Sequence, residues 1–136
     1  MIIFSNGLIT LDYEPATDIL SVALPDIRNF GTTEVERSLE IIVESITNYD
    51  VKKLLLNSSK AIIEVEDVVY RNIIMKFSSD LMKTRLKYLA RVGSNMEEQE
   101  KRANKVAEEV RYVTNTSITF RNFTDNSEAM EWLLKQ

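Results

Sequence analysis

The clearest feature of the hydrophobic pattern is a short apolar run flanked by polar residues. The run, residues 54–56, consists of three leucines inside residues 51–59. A continuous run of this length predicts a strand that is buried on both faces of a sheet. The carboxyl end of such a strand is where open α/β sheets usually meet their ligands. In this chain that end carries three small polar residues, Asn57, Ser58 and Ser59.

Apolar residues at three- and four-residue steps predict amphipathic helices on both sides of this strand. The first stripe includes Leu39, Ile42 and Ile46, and either Thr32 or Thr33 is placed to cap its helix. The second stripe, which begins near residue 66, contains Val69, Ile73, Phe77 and Leu81. These two helices can cover both faces of the predicted strand.

The third predicted helix, residues 96–114, is the most highly charged part of the chain. Its apolar stripe is narrow and consists of Ala103, Val106, Ala107, Val110 and Val113. Glu97 with Lys101 and Glu98 with Arg102 form i,i+4 pairs in the better orientation, each worth ~0.2–0.5 kcal/mol. We therefore predict a solvated outer helix, and a partner-docking face is the alternative.

Further segments with strand-like patterns are residues 8–13, 19–24, 86–92 and 118–123. Asn6-Gly7 predicts a tight hairpin turn because both residues accept positive φ, and residues 125–127 predict a cap for a short fourth helix. The alternation of strands and helices predicts an α/β fold. We expect a mixed, mostly parallel sheet of about five strands with four helices and an antiparallel N-terminal hairpin, as one domain over residues 1–136.

The composition excludes several kinds of chemistry. The chain has no Cys and no His, which removes thiol nucleophiles, His-based triads and thiolate or imidazole metal sites. The formal net charge of -4 disfavours nucleic acid as a partner, because phosphate contacts need clustered Lys and Arg. No run approaches the ~20 apolar residues of a membrane span, and residues 1–7 lack the features of a signal peptide. We expect a cytoplasmic protein without a membrane span, a metal or a cofactor.

Three stretches carry a family resemblance: LDYEPATDILSVALP, EIIVESITNYDVKKLLLNSSKAIIEVED and FRNFTDNSEAMEWLLKQ. They are similar to the opening hairpin, to the first helix with the central strand and following loop, and to the closing strand and helix of STAS domains. The sequence pattern is most similar to that of the SpoIIAA-like branch of these anti-sigma-factor antagonists. This branch has CRAL-TRIO-like relatives that hold lipids. The resemblance covers nearly the whole chain. It implies a non-catalytic regulatory or signalling module that binds a protein partner.

The resemblance also implies where a partner would bind. In classical members an Asp-Ser-x-Gly segment follows the central strand, and phosphorylation of its serine abolishes binding. This chain departs from that pattern, because Ser58 and Ser59 are followed by lysine. The alternative alignment places Glu66 or Asp67 there as a permanent charge. We predict a partner-binding surface at Asn57, Ser58, Ser59 and Glu66. Phosphorylation of a serine is one hypothesis, and hydrogen bonding within the turn is the other.

A second hypothesis is a carrier or sensor of a small, lipid-like apolar ligand. The ligand would lie between the second helix and the sheet, against Tyr70, Ile74 and Phe77. Core packing explains the same stripe. An enzyme that uses carboxylates or lysine is a third hypothesis, although no residues converge on a reaction. The edge strand of the hairpin could also pair with a second copy, which would give a homodimer.

Overall fold

The computed structural model describes residues 1–26, 28, 31–114 and 117–136, except for the side chains of residues 112–114. The strands are β1 (Ile2–Ser5), β2 (Thr10–Glu14), β3 (Ile19–Ala23), β4 (Lys53–Asn57), β5 (Tyr88–Val92) and β6 (Thr119–Phe123). The helices are α1 (Thr32–Tyr49), α2 (Asp67–Met82), α3 (Glu97–Thr114) and α4 (Asn126–Leu134).

The strands form one sheet in which spatial order equals chain order, β1-β2-β3-β4-β5-β6. Strands β1, β2 and β3 pair antiparallel, and β3 to β6 pair parallel. This confirms the predicted α/β fold with a mixed, mostly parallel sheet, an antiparallel N-terminal hairpin and four helices. The sheet has six strands rather than about five, because the apolar residues before Asn6 form β1.

The turn between β1 and β2 lies where Asn6-Gly7 predicts it, but positive φ is not its mechanism. No glycine in the described residues has positive φ. Instead, the Asn6 side-chain oxygen accepts hydrogen bonds from the backbone N–H groups of Leu8 and Ile9, both at 2.8 Å. The side chain thus closes the turn in the manner of an Asx-turn.

Both ends of α1 use backbone rather than side-chain caps. The prediction that Thr32 or Thr33 caps this helix is wrong, because the helix begins at Thr32 and Gly31 occupies the N-cap without a side-chain hydrogen bond. At the other end Asp50 adopts a left-handed conformation with φ 53, and the N–H of Val51 donates to the carbonyl of Ile46 at 3.0 Å. Such a cap turns the chain directly into β4.

The prediction that the helices on either side of β4 cover both faces of this strand is wrong, because α1 and α2 pack on one face and α4 covers the other. Because successive side chains of a strand point to opposite faces, β4 sends Leu54 into the core under α1 and α2, and Leu55 into a smaller core under α4. The larger core takes in Leu20 and Leu89 from the neighbouring strands. The smaller core includes Ala90 from β5. Helix α3 packs on α2, on the same side as the larger core.

Helix α4 is capped as predicted. The Asp125 side chain accepts a hydrogen bond from the N–H of Ser127 at 3.1 Å. On the sheet side of this helix, Trp132 contacts the rings of Tyr88 and Phe123, with centroid distances of 6.0 and 5.7 Å. Among the described residues, no helix has the length and apolar character needed to cross a membrane.

Candidate functional site

A cavity of about 560 Å³ lies between α2, α3 and the sheet face that they cover. Pockets that hold small molecules usually have volumes of about 300–1,000 Å³, so this cavity is large enough for one. Its floor includes Leu56 of β4, Leu89 of β5 and Phe120 of β6. The surface that it presents is predominantly apolar.

Helix α2 supplies one wall of the cavity through the residues predicted for an apolar ligand. Tyr70, Ile74 and Phe77 all line it. Tyr70 and Phe77 are buried, and Ile74 is half-buried. Burial raises the pKa of the Tyr70 phenol, although the charges of Arg91 and Arg102 act in the opposite direction. This hydroxyl is therefore neutral at physiological pH.

Small side chains on α3 explain why space remains between this helix and the sheet. Ala103 and Ala107 are one turn apart and both line the cavity, as does Val110. Val106 and Val110 pack against Tyr70 of α2. The narrow stripe predicted for this helix therefore contacts α2 through Val106 and Val110. It borders the cavity through Ala103, Ala107 and Val110. The side chain of Val113, also predicted for the stripe, lies outside the described residues.

Arg102 joins α3 to the loop before α2. The predicted pair of Glu98 with Arg102 does not form, because the guanidinium points away from that carboxylate to the backbone. Its Nη1 donates to the carbonyl of Val65 at 2.7 Å, and its Nη2 donates to the carbonyl of Ile63 at 2.8 Å. The same guanidinium lies 4.4 Å from the centroid of the Tyr70 ring. These contacts hold the loop against the helix beside the cavity.

Gln99, which lies one helical turn before Arg102 on α3, holds the same loop. This side chain is buried, with 9% of its surface exposed. Its amide nitrogen donates to the carbonyl of Ala61 at 2.9 Å, and its amide oxygen accepts from the N–H of Ile63 at 3.0 Å. The wall of the cavity that Ile63 forms is thus held by hydrogen bonds rather than by apolar contact alone.

A largely buried ion pair, Arg91 with Glu100, lies at the carboxyl end of β5. The two guanidinium nitrogens of Arg91 donate to the two carboxylate oxygens at 2.8 and 3.0 Å. Ser94 donates to the same carboxylate from its backbone N–H at 3.1 Å and from its Oγ at 3.0 Å. Burial raises the pKa of Glu100, but the hydrogen bonds from Arg91 and Ser94 outweigh burial and hold it below its ordinary value. Arg91 also lines the cavity.

Gly93 allows this ion pair to form. A Cβ at Gly93 would overlap the Glu100 Oε1 atom, and that carboxylate has no freedom to withdraw while Arg91 and Ser94 hold it. We expect Gly93→Ala to lower the free energy of unfolding by about 1 kcal/mol, the scale of a lost hydrogen bond, in chemical denaturation. In the control Gly7→Ala, the new Cβ meets nothing within 4 Å, and this variant should be unchanged or stabilised by up to ~1 kcal/mol. Equal stability of the two variants would contradict the prediction.

The residues predicted for partner binding lie near the carboxyl end of β4, but they differ in accessibility. Ser58 is 2% exposed, and its Oγ donates to the carbonyl of Val92 at 2.7 Å. Ser59 is exposed, and its Oγ and N–H both donate to the Asn57 side-chain oxygen, at 2.6 and 2.9 Å. Glu66 is exposed and occupies the N-cap of α2 without a side-chain hydrogen bond. Of the two serines, Ser59 is the one that presents an accessible hydroxyl.

A second polar network lies at the amino end of the parallel strands. The Tyr13 hydroxyl donates to Asp18 at 2.8 Å, and Lys52 and Arg85 donate to Asp50 at 2.9 and 3.1 Å. Burial and the hydrogen bond to Asp18 raise the pKa of Tyr13 to about 12. The backbone N–H of Lys52 also donates to the Asp18 carboxylate at 3.3 Å, which ties the turn before β3 to the start of β4. None of these residues lines the cavity between α2, α3 and the sheet.

The described residues contain no group of three or more acidic side chains placed to hold a metal ion. At the start of α2, Glu66 and Asp67 are exposed, and the Asp67 carboxylate lies 3.4 Å from the Arg102 guanidinium. Their charges therefore serve the start of the helix, where carboxylates are favourable.

The chain matches no protein-family model and no curated protein. Its resemblance to STAS domains therefore stays a prediction from the sequence.

Proposed function

We propose that the protein binds a small apolar molecule in the cavity between α2, α3 and the sheet, as a carrier or sensor without catalysis of its own. The observation that carries this proposal is the apolar cavity of about 560 Å³. Pockets that bind small molecules are usually concave and lined mainly by apolar side chains, with a few polar groups, and they are few in any one protein.

The arrangement around the cavity favours a defined site over loose packing. Arg102 and Gln99 hold the loop that forms one wall, and the paired charges of Arg91 and Glu100 hold the carboxyl end of β5 against α3. Rigid walls of this kind reduce the entropy that a ligand would otherwise lose on ordering the site. The hydroxyl of Ser58 is occupied by the Val92 carbonyl, so it is not a free polar partner within the lining.

Mass spectrometry of protein purified from its own host tests the proposal directly. We expect an additional mass under native conditions that is lost under denaturing conditions, because the ligand is held by non-covalent apolar contacts. A bare chain that also fails to bind an apolar fluorescent probe, such as N-phenyl-1-naphthylamine, would contradict the proposal. A mass that survives denaturation and equals a phosphate would instead support a phosphorylated regulatory module.

Filling the cavity should weaken binding of the probe without unfolding the protein. In Ala107→Phe the new ring points into the cavity that Ala107 lines. We expect the affinity for the fluorescent probe to fall by at least about tenfold, since the ring occupies the probe's space. The matched control is Glu108→Phe, which adds a ring of the same size at an exposed position of α3 outside the lining.

Circular dichroism melts of both variants separate loss of the site from loss of the fold. A folded Ala107→Phe protein that binds the probe as tightly as the control does would refute the cavity as the site. If Ala107→Phe does not fold, Ala103→Leu places a smaller side chain at the other alanine of the same lining and provides the test.

Binding of a protein partner, which the STAS resemblance predicts, concerns a neighbouring surface. The exposed residues Ser59 and Glu66 flank the segment that contains Ile63, and Ile63 lines the cavity. In a sensor, this loop would be the surface through which occupancy of the cavity reaches a partner. We therefore propose the partner surface as secondary to the ligand site.

A further inference from the structure

Charge is distributed unevenly around the cavity. Its lining contains no carboxylate among the described residues, and its charged members are the guanidinium groups of Arg91 and Arg111. The charge of Arg91 is already neutralised by the bidentate contact with Glu100, whose carboxylate oxygens lie 2.8 and 3.0 Å from the guanidinium nitrogens. Arg111 is therefore the source of uncompensated positive charge in the lining.

Arg111 lies at the opening of the cavity. Three of the lining residues are exposed, and they mark the mouth: Met82 at the end of α2, Arg111 in the last turn of α3 and Thr119 at the start of β6. Among the side chains that the structure describes, no carboxylate lies within ion-pair distance of Arg111. A cation in the last turn of a helix is favourable in itself, but that effect does not explain its place at the mouth of an apolar space.

A second cavity adjoins the one behind the mouth. This smaller cavity of about 100 Å³ lies under the first helix and the loop before α2, and Leu24, Ile63 and Tyr70 line both cavities. The two spaces therefore have side chains in common. A flexible alkyl chain adapts to an irregular apolar space more readily than a rigid ring system does.

We infer that the ligand is a single-chain amphiphile with an anionic head group, whose chain fills the cavity and whose head pairs with Arg111 at the mouth. The inference rests on the proposed function, since it names the class of molecule that the same cavity takes. A fatty carboxylate and a lysophospholipid phosphate share this chemistry. A guanidinium binds either of them through charge-assisted hydrogen bonds.

Binding of laurate and of dodecanol, each by displacement of the fluorescent probe below its aggregation concentration, tests the head group. The two molecules share one chain and differ in charge. We expect the wild type to prefer laurate by about fivefold, the scale of an exposed ion pair. In Arg111→Gln this preference should disappear through weaker laurate binding, while dodecanol affinity stays the same. Added salt should reduce the preference in the wild type.

The matched control is Arg121→Gln, which removes an exposed arginine from β6 outside the lining. This variant should keep the wild-type preference for laurate. Equal affinity for the two molecules in the wild type, or a preference that survives Arg111→Gln, would overturn the head-group assignment while leaving an apolar site in place. Failure of both molecules to displace the probe would instead count against the proposed function itself.

A comparison of laurate with lysophosphatidate distinguishes the two kinds of anionic head group. Tighter binding of laurate would identify the carboxylate as the preferred anion, and tighter binding of lysophosphatidate would identify the phosphate. Either order supports the inference, provided that the affinity for the preferred anion falls in Arg111→Gln.

Discussion

Replacing Leu54 with alanine is expected to lower the free energy of unfolding by about 2–5 kcal/mol. Leu54 has no exposed surface and lies at the centre of the sheet, where it is in register with Leu20 of β3 and Leu89 of β5. The cost has two parts, the lost burial of the side chain and the cavity that remains. Neighbouring strands on both sides prevent the backbone from collapsing into the space, so we expect the upper half of this range.

Chemical denaturation followed by circular dichroism measures this loss. The matched control is Val68→Ala on α2, where an apolar side chain that is 68% exposed is also shortened to alanine, and its change should stay within about 0.5 kcal/mol. The slope of the transition should be the same in both variants, since both unfold the same surface. A loss below about 1 kcal/mol for Leu54→Ala would show that β4 is not the centre of the core.

The second large effect concerns the ion pair beneath α3. Glu100→Gln keeps the size of the side chain but removes the charge that Arg91 needs. The carboxylate accepts hydrogen bonds from Arg91 and Ser94, and a hydrogen bond to a charged group typically contributes about 1.5–3 kcal/mol. We expect a destabilisation of about this size at neutral pH, because the guanidinium of Arg91 is then left largely buried without a counterion.

The pH dependence of this effect provides a specific control. The folded-state pKa of Glu100 lies below its ordinary value of 4.5, so its stabilising contribution is complete above the unfolded-state pKa. The contribution is lost as the pH falls through the lowered folded-state value. The difference in unfolding free energy between wild type and Glu100→Gln should therefore be largest at neutral pH and shrink under acid conditions. Glu97→Gln, whose side chain is 84% exposed on the same helix, should show little difference at any pH.

Much of the fold could be predicted because its elements carry local patterns. The leucine run of residues 54–56 indicates a strand buried on both faces, and Leu54 and Leu55 do face the two separate cores. The four-residue steps of α2 likewise predict which of its side chains turn inward, and Phe77 and Leu81 are both buried. Hydrophobic periodicity is the strongest such signal within one sequence.

Predictions about the ends of elements were less successful, since alternative groups can satisfy the same backbone. Asn6 closes its turn through a side-chain oxygen rather than by positive φ. The first helix begins after Gly31 without help from Thr32. In both places several local solutions are available, and the pattern of residue types does not choose among them.

The candidate site was predictable in part. The apolar stripe of α2, together with the resemblance to lipid-holding relatives, predicts an apolar ligand at Tyr70, Ile74 and Phe77, and all three line the cavity. The Arg91–Glu100 pair and the position of Arg111 at the mouth were missed. The one available signal was an arginine inside the apolar strand LARV, which needs a counterion if it is buried. The volume left by Ala103 and Ala107 depends on how far α3 stands from the sheet, which no local pattern specifies.

The agreement between spatial and chain order in the sheet has a consequence for synthesis on the ribosome. Each new strand pairs with the strand made just before it. The sheet can therefore gain strands at one edge as the chain emerges, which agrees with folding from the N-terminus. The second face behaves differently, because Ile19, Leu55 and Ala90 are covered by residues of α4. Until that helix has been made, these strands present an unprotected apolar surface, and surface of this kind makes a partly folded chain prone to aggregation.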